Sequence, residues 1–139
     1  MCEIVNHNAK PSEPSKELDE LAHAVIGAAL EVHRIVGPGL LESAYQCALA
    51  IELSARGILF AQQLPVTISY RDIAIGEARL DFLVADGIVV EVKACAALLP
   101  IHYAQVISYL KASNRRLGLL INFNVPLLRQ GIKRVIRSR

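Results

Sequence analysis

Apolar residues in this chain recur first at helical spacing, then at strand spacing. From Leu18 through Leu21, Ala22, Val25, Ala29 and Val32 to Val36 they return every three or four positions, the stripe of a helix with one core-facing side. Pro14-Ser15 marks its start, with Ser15 the expected N-cap and Glu17, Asp19 and Glu20 in or near the electropositive first turn. Gly37-Pro38-Gly39 stops it. His33 is expected to meet the terminal carbonyls there rather than a metal. A second helix is predicted from Leu40 to Arg56, closed by Gly57, with Leu41, Ala44, Ala48, Ile51 and Ala55 as its apolar face. Glu42 and Tyr45, three apart, share a neighbouring face near its start, where a carboxylate is already favoured by the helix dipole.

Beyond Gly57 the pattern becomes that of strands. Val66 to Tyr70 and, after an Arg71-Asp72 turn, Ile73 to Ala78 lead into the most strand-like stretch, Arg79 to Ala94, whose two β-branched and aromatic runs flank Asp86-Gly87. With a two-residue loop, Asp81 would face Val92 and point away from Glu91. With a three-residue loop, Ala85-Asp86-Gly87, and Gly87 left-handed, Val84 pairs with Ile88 and Asp81 falls opposite Glu91. Asp81, Glu91 and Lys93 then share one face. Leu80, Phe82, Val84, Ile88, Val90 and Val92 form an apolar layer on the other.

Pro100 opens a third helix to about Ala112, burying Val106, Leu110 and Tyr103, with Gln105 and Tyr109 four apart on one face. Leu117 to Phe123 is a continuous apolar run, the mark of a strand covered on both sides. The helix before it makes a right-handed crossover parallel to the Glu91 strand the expected connection. Residues 125–139 read equally as a short helix or a strand.

The chemistry lies in the charges that interrupt the central hairpin. Two carboxylates on adjacent strands are costly to bury unless paired or holding a cation, and their hard oxygens suit Mg²⁺ or Mn²⁺. Lys93, two residues beyond Glu91, would place an ammonium beside an attacking water or the phosphate under attack. An ordinary cross-strand ion pair is the alternative.

At 139 residues the chain is long enough for one well-buried domain, read as residues 15–139 after a poorly ordered lead-in over 1–14. Its apolar runs are short and broken by charge, so a membrane span is not expected, nor a secretory signal. Cys2, Cys47 and Cys95 form no CxxC pair and point to a reducing, cytoplasmic setting. The net charge is +2, but all 13 Asp and Glu lie at or before Glu91, and residues 92–139 carry only basic charge. Such a region suits a polyanion, or else complements an acidic half of the same or another subunit.

These motifs together resemble the GxxExxY protein family, a small bacterial group in the PD-(D/E)xK nuclease superfamily. The residues concerned are Gly39-Leu40-Leu41-Glu42-Ser43-Ala44-Tyr45, Arg79-Leu80-Asp81, Glu91-Val92-Lys93, His102-Tyr103-Ala104-Gln105 and Leu119 to Phe123. The resemblance implies an α/β fold of the α+β, restriction-endonuclease-like kind, a central mixed sheet flanked by helices. It further implies a divalent ion, Mg²⁺ or Mn²⁺, held by Asp81, Glu91 and the backbone carbonyl of Val92. Glu42 would complete the acidic shell as in RecB-like nucleases. Lys93 would orient the attacking water, and Gln105 and Tyr109 match the Q-x-x-x-Y element of that branch.

The expected function is metal-dependent hydrolysis of DNA with little sequence specificity, and the sequence does not separate DNA from RNA. Tyr45, Lys111, Arg115, Arg116, Lys133 and Arg134 are the expected nucleic-acid contacts. A non-catalytic nucleic-acid-binding or assembly module on the same fold is the alternative. The high apolar content would also suit a homodimer.

Overall fold

The computed structural model describes residues 14–138, so all but Pro14 of the expected lead-in lies outside the described residues. Three helices, α1 (Lys16–Val36), α2 (Glu42–Ala55) and α3 (Pro100–Ser113), pack on a five-stranded sheet. Its strands are β1 (Phe60–Tyr70), β2 (Ile73–Val84), β3 (Ile88–Lys93), β4 (Leu117–Asn122) and β5 (Ile132–Ile136), ordered β1-β2-β3-β4-β5. Only β3 and β4 are parallel, joined through α3, while the other neighbours run antiparallel. This is the mixed α+β architecture expected. The undecided tail resolves into a short 3₁₀ turn, Leu128–Gly131, and the edge strand β5.

Ser15 caps α1 by accepting from the Leu18 amide at 3.2 Å, and the helix buries Ala22, Val25, Ala28, Ala29 and Val32. His33 departs from expectation. Its Nε2 meets the carbonyl of Val125 at 2.9 Å, tying the end of α1 to the loop after β4 instead of to its own helix. In α2 the buried face is also not the one read from the sequence. Tyr45, Leu49 and Leu53 face the core, while Leu41 and Ile51 are exposed. Apolar residues surround this helix on several sides, so spacing alone does not select the buried one.

The sheet separates two apolar layers. One, against α1 and α2, contains Phe82, Val84, Ile88, Val90, Val92, Leu117, Leu119 and Ile121. The other, against α3, contains Leu80, Leu83, Val89, Val106, Leu110, Leu120 and Val135. Leu80 therefore lies opposite its expected layer. Strand alternation breaks between Leu80 and Phe82, and on β1 Gln63 takes a left-handed φ of 51° between the paired residues Gln62 and Leu64. At that level β1 and β2 turn their apolar side from α1–α2 towards α3.

The central hairpin has the three-residue loop, with Val84 opposite Ile88 and the Gly87 amide donating to the Val84 carbonyl at 2.9 Å. The left-handed residues are Ala85 (φ 48°) and Asp86 (φ 56°), not Gly87. The register is as expected; the turn that sets it differs.

Candidate active site on the α3 face of the sheet

Continuing the β2–β3 register puts Asp81 opposite Glu91, where side chains replace main-chain ladder bonds. The Asp81 amide donates to Glu91 Oε1 at 3.0 Å, and the Val92 amide donates to Asp81 Oδ2 at 2.8 Å. Each carboxylate is thus bound to the opposite strand's backbone. Glu91 is 3% exposed. Burial, and then the neighbouring Asp81 charge, push its carboxyl up to about 8, and burial also raises that of Asp81. The two carboxyls hydrogen-bond to each other, so at neutral pH the metal-free pair keeps a proton on Glu91.

Lys93 follows Glu91 on the same face. Its Nζ donates to Gln105 Oε1 at 3.3 Å, and Gln105 in turn hydrogen-bonds to Tyr109. Burial, followed by the charges of Glu91 and Asp81, raises the Tyr109 phenol, which keeps it a hydrogen-bond donor across the neutral range. The salt bridges among the described residues include none from Lys93 to either carboxylate. Asp81, Glu91, Lys93, Gln105 and Tyr109, scattered over three elements, are thus brought together.

A buried carboxylate pair that must retain a proton is a site where a divalent cation can replace that proton. All-oxygen donors favour a hard ion of the Mg²⁺ or Mn²⁺ kind.

The family model of the PD-(D/E)XK nuclease superfamily matches residues 19–135, nearly the whole chain. The chain belongs to the PD-(D/E)XK nuclease superfamily. No curated protein and no solved structure matches it. Members of the superfamily are nucleases, hydrolases acting on nucleic acid, and typically use divalent metal ions. Among the described residues no helix is long and apolar enough to cross a membrane.

The residues around α2 differ from their sequence reading. Tyr45, expected to contact nucleic acid, is wholly buried. Its hydroxyl donates to the Gly37 carbonyl at 2.6 Å and accepts from the Leu40 amide at 3.1 Å, and its ring stacks on Phe123 at 4.6 Å. It is an anchor that pins the α1–α2 loop to the end of β4. Tyr45→Phe keeps the stack but removes both hydrogen bonds from the hydroxyl to the partly exposed α1–α2 loop. We expect a loss of about 1 kcal/mol in urea unfolding, with metal affinity little changed.

Glu42 stands half-buried at the first position of α2. Among the described residues no three Asp, Glu, His or Cys side chains stand close enough together to hold a metal, so Glu42 does not join Asp81 and Glu91 in a single acidic shell here. One turn further on, Gln46 Oε1 accepts from the Gln63 side-chain Nε2 at 3.0 Å. Gln63 is the left-handed residue in the row of Asp81, so this bond turns the Glu42 side of α2 towards that row. Nothing in the sequence marks Gln63, since a non-glycine residue at positive φ within a strand has no local signature.

The basic residues do not make one face. Arg115 pairs with Asp86 at 2.6 Å and Arg134 with Asp19 at 2.7 Å. Arg115 and Arg116 precede β4 beside the β2–β3 turn, roughly 15 Å along the strand from Glu91. Arg134 faces α1. Two of the nine basic residues after Glu91, Arg115 and Arg134, thus pair with acidic residues of the same chain. Lys111, on α3, and Lys133, on β5, remain exposed on the α3 side.

Proposed function

We propose that this chain is a divalent-metal-dependent nuclease that hydrolyses DNA phosphodiester bonds with little sequence specificity, in the GxxExxY group of its superfamily. The observation that carries this reading is the buried Asp81–Glu91 pair, whose carboxyls stand where main-chain bonds would run, with Lys93 unpaired to either. Asp81, Glu91 and the Val92 carbonyl would hold the ion, with Glu42 joining the same shell as the ion's positive charge draws its carboxylate in. The ion supplies Lewis acidity towards the phosphate and lowers the pKa of water. Lys93 orients the attacking water and stabilises charge developing on the phosphate oxygens. Gln105 holds the ammonium in place, and Tyr109 donates a hydrogen bond towards a non-bridging oxygen. Among the described residues there is no base-reading helix or zinc module, so contacts to the backbone position the substrate without reading it.

The test is incubation of purified protein with single- and double-stranded DNA and with RNA, in Mg²⁺, Mn²⁺ or EDTA. Cleavage of DNA that needs the metal is expected. Salt-sensitive DNA binding without cleavage in any metal would overturn the enzyme reading in favour of a non-catalytic module. Preferential cutting of RNA would reassign the substrate.

A further inference from the structure

Beside the catalytic end of the sheet lies a cavity of about 260 Å³ that the catalytic residues do not line. Leu98, Tyr103, Asn122, Gln130, Gly131 and Lys133 form its walls. It borders the site through Asn122, the parallel-strand neighbour of Lys93. Glu91 pairs with Leu120, and Leu120 with Lys133, so Lys133 stands in the same row as Glu91, two strands away, at about 10 Å. Leu120 and Val135 point to α3, which sets Lys133 on that face too.

The walls are fixed in place. The Asn122 side chain accepts from the Cys95 and Asn124 amides at 3.1 and 3.2 Å and donates to the Cys95 carbonyl at 2.9 Å. Its oxygen and one N–H are engaged, which holds the side chain as a fixed wall. Gly131 lies so close to the Asn122 carbonyl that a Cβ there would run into it. The cavity draws all its residues from the part of the chain without a carboxylate, and the salt bridges among the described residues leave Lys133 unused.

We propose that this cavity is a subsite for the nucleotide next to the scissile phosphate, with the Lys133 ammonium holding that nucleotide's phosphate and the nucleoside lying against Tyr103 and Leu98. The proposal rests on the nuclease reading and adds to it a second point of contact, one backbone unit from the reacting phosphate. Two fixed phosphates set the direction in which a strand crosses the site. A single phosphate leaves it free to rotate.

The experiment uses DNA oligonucleotides in which one phosphate at a time, on either side of the mapped cleavage position, is replaced by a neutral methylphosphonate. Wild type is compared with Lys133→Met, which keeps the stem and removes the charge. For the wild type, neutralising one particular flanking linkage should raise KM about three- to tenfold and leave kcat nearly unchanged. Lys133→Met should show that higher KM on unmodified DNA and lose nothing further at the same linkage. Its binding should also depend on salt with a slope smaller by about one. Because Lys133 is exposed, its Tm should match the wild type. If the variant stays as sensitive to that linkage as the wild type, Lys133 touches no phosphate and the subsite is wrong while the nuclease reading stands. If the wild type cleaves no nucleic acid, the nuclease reading itself fails and the subsite falls with it.

Discussion

Lys93→Ala should reduce DNA cleavage by about 10³-fold or more, corresponding to ~4 kcal/mol of transition-state stabilisation. The protein should stay folded. Lys93 is half-buried, its side chain bonds among the described residues to Gln105 alone, at 3.3 Å, and the main-chain bond from the Phe123 amide to its carbonyl does not involve the side chain. Losing a charge at the site should weaken DNA binding only modestly, because contacts to other phosphates persist. The comparison is of single-turnover rates, Tm and DNA affinity for the two proteins prepared identically. A variant that cuts at a rate near wild type would remove Lys93 from the chemistry, whatever its effect on affinity.

Glu91→Gln is expected to do two opposite things at once, destroying activity while stabilising the metal-free fold at high pH. The Glu91 carboxyl ionises near 8 in the folded protein, against an ordinary 4.5. Between those values the folded state holds a proton that the unfolded chain has released. Metal-free stability should therefore be complete below about pH 4.5 and fall as pH rises through 8. A glutamine cannot ionise, and its carbonyl can still accept from the Asp81 amide, so its stability should be nearly flat over that window. At pH 9 without metal the variant should exceed the wild type by a few kcal/mol at most, or roughly 10 °C in Tm. Adding Mg²⁺ should reverse the order, because the wild type gains the binding energy and the variant largely does not. Thermal melts from pH 4.5 to 9, with Mg²⁺ and with EDTA, read both effects. A wild-type Tm that is level across this range in EDTA and unmoved by Mg²⁺ would show that the carboxylate pair is neither strained by burial nor a metal site.

The two experiments divide the site by function. Lys93 acts on the reacting groups and costs the fold little, whereas Glu91 stores an electrostatic cost in the metal-free fold that a divalent ion would relieve. A carboxylate kept only for structure would gain nothing from a metal, and an exposed one would show no pH dependence of this kind.

The sequence by itself determined the three helices and the strand character of the central hairpin, and narrowed its register to two. Alternation within each strand is the same in both, so Val84 stands against Ile88, and Asp81 against Glu91, through the three-residue turn that the structure forms. Asp81, Glu91 and Lys93 then share a face by the period of two alone, and Gln105 with Tyr109 by the helical period. The tertiary structure decided what depends on partners distant in the chain. It selected Tyr45 as a core residue, because Phe123 offers a stacking surface and the Gly37–Leu40 loop satisfies its hydroxyl. It moved Leu80 to the α3 layer through a left-handed Gln63, and paired Arg115 and Arg134 with Asp86 and Asp19 of the same chain. Local periodicity reports which residues share a side of one element. Which side loses its water, and which charges meet there, is decided by neighbours as far as 115 residues away, as for Asp19 and Arg134, and burial, with the facing Asp81 charge, raises Glu91 towards 8 where an isolated strand would leave it an ordinary acid.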